Sequence, residues 1–177
     1  EQQFQSEFEC DFVGSSNTLI ESYKLKQMFP NKPIKMTPDG LRIYEEPKED
    51  HIYFMCVDVA RGQGKDNSAF TIIDTSQMPY KIVATFYNNT IPPLLFPTTI
   101  HTIAKNYNDA WILIEINDIG GQVADILHAD LENEFVLSVN SKGRSGQVLS
   151  GGFSGQGKTA LGVKTTLPIK RIGCSVF

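Results

Sequence analysis

The chain has 177 residues, of which 41% are hydrophobic, 10% aromatic and 20% charged, the arithmetic of one globular domain with an arm. No apolar run approaches the ~20 residues that a membrane span needs and no charged leader precedes a short apolar stretch, so the sequence predicts a soluble, intracellular protein with no membrane partner. Cys10, Cys56 and Cys174 are odd in number, far apart and never in a C-x-x-C pair, which argues against a disulfide framework or a zinc knuckle and for reduced thiols. The net charge of −4 divides unevenly: −10 up to Glu134, and +6 from Phe135 onward, where no acid occurs.

Residues 1–50 are rich in turn formers (Pro30, Asn31, Pro33, Pro38, Asp39, Gly40, Pro47) and are expected to form an arm with short elements; residues 51–177 are expected to form the folded domain. From Ile52 the run IYFMCVDVA predicts a strand buried on both faces. A glycine-rich turn over 61–66 leads to AFTIID at 69–74 and KIVATFY at 81–87, so three strands with short connections predict an antiparallel meander. Pro92-Pro93 suits a helix start, and Phe96, Ile100, Ile103, Ala104 and Tyr107 fall on one helical face that would cover the sheet. WILIEI at 111–116 predicts a further strand, and Asn117 or Asp118 can cap a helix carrying Ala124, Leu127 and Leu131 on one face. The order is βββαβα, followed by a short strand near 135–139, a Gly/Ser stretch over 141–157 and a helix beginning near Lys164. The fold class is therefore α/β, a mixed central sheet of antiparallel then parallel strands flanked by helices.

Both apolar strands carry a carboxylate near their C-terminal ends, Asp58 and Glu115. If the crossover helix sets the second strand parallel to and beside the first, strands ~4.8 Å apart let the two side chains share a divalent cation. An oxygen-only donor set favours Mg²⁺ or Mn²⁺. The competing reading is that each acid marks a strand end and faces solvent. Asp66, beyond the glycine turn, is either an accessory group at the same mouth or an ordinary turn residue, and Asp118 is read as N-cap chemistry. The basic stretch containing Lys142, Arg144, Lys158, Lys164, Lys170 and Arg171 is either a solvated loop or a track for a polyanion such as DNA. Residues 152–159 spell a G-x-x-x-x-G-K-[ST] phosphate loop, but no buried strand precedes them and no acid follows Glu134 to hold Mg²⁺, so no nucleotide site is assigned. His51, His101 and His128 lie away from both carboxylates in the sequence pattern.

Four segments in order, ECDFVGSSNTLI at 9–20, CVDVARGQGKDNSAFTIID at 56–74, WILIEINDIGGQVADIL at 111–127 and LPIKRIGCS at 167–175, resemble the C-terminal nuclease domain of the large terminase, the DNA-packaging protein of tailed phages, the T-even type in particular. The resemblance implies an RNase H-like fold in which Asp58, Glu115 and a third Asp on a C-terminal element hold two Mg²⁺ or Mn²⁺ ions, with Asp58 bridging them and Asp66 as an additional catalytic acid. It implies a metal-dependent endonuclease that cuts concatemeric double-stranded DNA in the host cytoplasm. The partners it implies are the ATPase domain, the portal protein and the small terminase subunit. Residues 1–50 would then be the junction after the ATPase domain, and the third Asp would lie beyond Phe177. Other readings are a resolvase- or transposase-type RNase H-like nuclease, a DNA-binding or motor-docking module inactive as a fragment, and a nucleotide-binding protein using 152–159.

Overall fold

The computed structural model describes residues 31–140 and 159–175. One compact unit runs from Pro33 to Thr166. It is built on a six-stranded sheet whose strands lie in the order Lys35–Met36, Leu41–Ile43, Lys81–Asn88, Ser68–Asp74, Tyr53–Asp58 and Trp111–Ile114. Strands β3 (Tyr53–Asp58), β4 (Ser68–Asp74) and β5 (Lys81–Asn88) form the expected antiparallel meander, in register from Tyr53↔Asp74 to Asp58↔Ala69. The helix α1 (Phe96–Asn106) crosses over and returns the chain as β6 (Trp111–Ile114), parallel to β3. A crossover of this length is what a parallel pair requires.

The sheet is longer than the sequence pattern suggests. Strands β1 (Lys35–Met36) and β2 (Leu41–Ile43) extend it, β2 pairing antiparallel with β5. Residues 33–46, expected to belong to the arm, thus contribute Leu41 and Ile43 to the buried core. Their turn formers make a hairpin: the Thr37 carbonyl accepts from the Gly40 amide (3.1 Å) and the Thr37 hydroxyl oxygen from the Leu41 amide (3.1 Å).

Side-chain parity gives the sheet two unlike faces. Tyr53, Met55 and Val57 on β3, Phe70 and Ile72 on β4, Phe86 on β5 and Ile112 and Ile114 on β6 are buried beneath α1 and α2 (Gly120–Asp125). Phe70, Phe86 and Phe96 stack there, with ring centroids 5.0, 5.7 and 6.3 Å apart. A buried Phe stabilises a fold by roughly 1.5–3 kcal/mol. The other face is partly open: Phe54 and Leu113 are half-buried, while Cys56 and Asp58 are exposed. The expectation that β3 is buried on both faces is therefore corrected. Phe54 and Cys56 are apolar residues on the open side, and they hide the alternation that would have shown it.

Helix α1 begins at Phe96 rather than at the prolines, since Pro92 to Leu95 make a lead-in turn whose Pro92 carbonyl accepts from Leu95 (2.9 Å) and Phe96 (3.2 Å). Phe96, Ile100, Ala104 and Tyr107 are buried and Ile103 partly so, as the spacing requires. Helix α2 continues into one wide π-helical turn, Ile126–Asp130, and buries Val123, Ala124 and Leu127. The short pair β7 (Ser138–Asn140) and β8 (Thr159–Leu161) follows, and its flanks cover the outer edge of β6 through Leu137 N to Ile112 O (2.8 Å) and Val163 N to Ile114 O (2.7 Å). An edge so covered cannot template further pairing. In the other unit, the described element is α3 (Leu167–Ser175), which starts three residues later than Lys164.

Candidate active site

Asp58 ends β3 and Glu115 follows β6. The register Val57↔Ile114 and the bond from Glu115 N to Val57 O (2.9 Å) set the two acids at the same level on adjacent parallel strands. Neighbouring strands lie ~4.8 Å apart. Both side chains are on the open face, where with Cys56, Leu113 and Val163 they line a hollow of about 270 Å³. Open-face placement keeps the carboxylates clear of the desolvation that the closed face would impose.

The chain after each strand is shaped around these acids. Gly120, at the start of α2, lies so close to the Glu115 carbonyl that any Cβ there would collide with it. Gly62, in the turn after β3, has φ +66° and presses against the Ile91 carbonyl in the same way, so a side chain is excluded on both conformational and steric grounds. Asn117 donates through Nδ2 to Glu115 Oε1 (2.7 Å) and to Thr165 O (3.1 Å), fixing the carboxylate to the segment after β8. The Oδ1 of Asn117 is buried and has no hydrogen-bond partner among the described residues.

Asp66 is exposed on the glycine-rich turn and lines a second hollow, of about 340 Å³, together with Asp58, Arg61, Lys65 and Asp118. It thus shares one hollow with Asp58, and Glu115 lines the other. Asp118 does not cap α2: the N-cap position is Ile119, and no side chain caps the helix. It adopts φ +56° and binds Arg61 in two-pronged fashion, Nε to Oδ2 at 2.7 Å and an η nitrogen to Oδ1 at 2.6 Å. Those bonds hold the Asp118 carboxyl below the ordinary carboxylate range and push the Arg61 guanidinium up. The pair ties the loop after β3 to the loop after β6. The sequence offers Asn117 only as a helix cap and gives Arg61 no role. An amide two residues after a strand-end acid is the only local signal for the first, and the second needs a partner 57 positions away.

Lys164 is exposed, next to the Thr165 that Asn117 holds. Lys142, Arg144 and Lys158, and most of the phosphate-loop spelling, lie outside the described residues, while Thr159 opens β8. The histidines sit elsewhere: His51 binds Asp74 (2.7 Å), His101 contacts Asn133 (3.1 Å) and His128 the Asn133 carbonyl (3.3 Å). Among the described residues, no three His, Cys, Asp or Glu side chains gather at one point, and no helix is long and apolar enough to cross a membrane. Asp58 and Glu115 both offer oxygen donors on the open face. They fit a hard divalent cation that keeps most of its water.

The chain is similar to the large terminase nuclease from thermophilic phage G20c with bound magnesium, at 21% identity over 57% of this chain and 51% of that one, with a TM-score of 0.49. It is similar to the zinc-bound form of the same nuclease at 20% identity, 57% and 56% coverage and a TM-score of 0.49. The Thermus phage P74-26 large terminase nuclease domain matches at 22% identity, 57% and 49% coverage and a TM-score of 0.46. The chain spans about half the length of these structures. The family model described as the terminase RNaseH-like domain matches residues 55–160, which run from within β3 into β8 and include Asp58, Asp66 and Glu115. The chain belongs to the terminase RNase H-like domain family.

Proposed function

We propose that the chain is a divalent-metal-dependent endonuclease domain of a large terminase, acting on double-stranded DNA that is concatemeric in the infected host's cytoplasm. The observation that carries this reading is the register of Asp58 and Glu115 on adjacent parallel strands. These two carboxylates would hold the cation, Mg²⁺ or Mn²⁺. When bound, the metal supplies a hydroxide from water and charge stabilisation for the phosphate under attack. Asn117 keeps one oxygen of Glu115 engaged and so orients the other. The Arg61–Asp118 pair holds the flanking loops at a fixed separation. Asp66 adds a carboxylate beside Asp58 that can position or deprotonate water. The ATPase domain, the portal protein and the small terminase subunit would be partners of the whole protein, with Lys142, Arg144, Lys158 and Lys164 contacting DNA.

The test is Mn²⁺-dependent nicking of supercoiled plasmid, measured for this chain and for a form extended at its C-terminus through the next acidic residue. Nicking that is lost in Asp58→Asn supports the reading, and nicking only in the extended form supports a three-acid site. Silence in both forms, with folding confirmed by circular dichroism, would replace it with a DNA-binding or docking module.

A further inference from the structure

The open face of the sheet continues beyond the acids. In register, Asp58 lies beside Ala69, and Ala69 beside Tyr87; one row back, Thr71 lies beside Thr85, and Thr85 beside Arg42. Directly paired residues share a face, so Glu115, Asp58, Tyr87 and Arg42 all stand on the same side of the sheet. Two strand spacings put Tyr87 about 10 Å from Asp58. The residues between are the small Ala69 and Thr71, which leave a low floor between the acids and the aromatic ring.

Arg42 and Tyr87 form a prepared contact. The Arg42 guanidinium lies over the Tyr87 ring, 4.5 Å from its centroid, and donates to its hydroxyl. Stacking of this kind holds a guanidinium plane and leaves its remaining N–H groups facing outward. Among the described residues no carboxylate pairs with Arg42, whereas Lys48 and Lys81 both meet Glu45 and Arg61 meets Asp118. Tyr87 remains 41% exposed, and the pair opens onto a hollow of about 390 Å³ that Met36, Asn67 and Asn88 also line. Asp39 lines that hollow too, but its contact runs through its backbone oxygen, which accepts from Asn88 Nδ2 (2.9 Å).

Building on the nuclease reading, we infer that Arg42 and Tyr87 grip the sugar-phosphate backbone of the DNA strand that crosses the sheet, two to three nucleotides from the bond at the acids. The spacing follows from one phosphate per ~3.4 Å of helix axis on each strand. The fork of Arg42 takes a phosphate and the face of Tyr87 the adjoining sugar or base. The occupant is DNA rather than a protein because the contact is a guanidinium with no carboxylate partner among the described residues, on the same face of the sheet as the carboxylates that would cut the strand.

The test measures binding of a short fluorescein-labelled duplex by anisotropy across a salt series, in the Asp58→Asn background so that no cleavage intervenes. Arg42→Gln should weaken binding about 5- to 10-fold and lower the salt slope by about one. Tyr87→Ala should weaken it about 3- to 10-fold with the slope unchanged, and Lys105→Gln, on α1 behind the other face, should change neither. Because Arg42 also braces β2, Arg42→Lys is the fold-sparing variant: it should keep the slope and lose about 3-fold in affinity. Parental affinity and slope in all three Arg42 and Tyr87 variants, or no measurable binding by the parent, would overturn the inference. Nicking by otherwise unsubstituted chain at saturating DNA separates the two readings. If nicking is absent from both this chain and its C-terminally extended form while binding still depends on Arg42, the nuclease reading fails and the DNA contact stands.

Discussion

Strand β3 has a carboxylate beside each of its ends, and the two are treated in opposite ways. At its N-terminal end Tyr53 is paired with Asp74, which is only 7% exposed and is saturated with donors: His51 Nδ1 at 2.7 Å and the Ser76 amide at 3.0 Å. At its C-terminal end Asp58 is exposed, level with a second carboxylate, and lines two hollows. The first arrangement consumes the charge within the fold. The second sets two carboxylates level on adjacent strands, on a face open to solvent. Two aspartates at opposite ends of one strand pair thus differ in exposure, one buried and the other open to solvent.

The comparison breaks if either acid behaves like the other. The largest effect is expected from Asp58→Asn and Glu115→Gln, which should each reduce Mn²⁺-dependent nicking by at least about 10³-fold, several kcal/mol of transition-state stabilisation, without lowering Tm. Next, Asn117→Ala should weaken Mn²⁺ binding by about 10- to 100-fold in a calorimetric titration, as loss of an orienting partner does. Asp74→Ala should leave nicking intact at permissive temperature but cost about 1–3 kcal/mol in urea unfolding, because His51 and the Ser76 amide lose their acceptor.

Acid should sharpen the same contrast. Burial pushes the Asp74 carboxyl up, but the Ser76 amide and hydroxyl and His51 outweigh it and leave it below its ordinary value. A depressed carboxyl stabilises fully above the unfolded value of about 3.9 and loses that contribution as pH falls through the folded value. Tm should therefore drop below about pH 4, and the drop should be shallower in Asp74→Asn. The smallest effect belongs to Arg61→Ala: an exposed pair is screened by solvent, so Tm should barely move, and any loss in nicking would report on loop placement alone.

Much of this architecture was legible in the residues. Apolar runs of strand length and one helical stripe give βββαβα, and two strand-end acids mark the candidate site. What escaped detection did so for physical reasons. β1 and β2 are two and three residues long, too short for period-two alternation to show, and Thr37 to Gly40 looked like arm because a hairpin turn uses the same residues. Phe54 and Cys56 concealed the open face. Asp118 looked like a cap because a helix followed, while its real partner, Arg61, came from the other strand's loop. Arg42 and Tyr87 are 45 positions apart, and only the sheet order makes them neighbours.

The bond from Glu115 N to Val57 O means that the distance between the two acids is set by main-chain pairing rather than by side-chain packing. Such a site tolerates change unevenly. Exchange of one side chain for another along β3 or β6 leaves the acids where they are, provided the closed face stays filled. A one-residue insertion or deletion within either strand inverts its parity, swinging the carboxylate into the apolar layer and a core residue into water. The domain is therefore permissive to substitution and brittle to frame length over Tyr53–Asp58 and Trp111–Ile114.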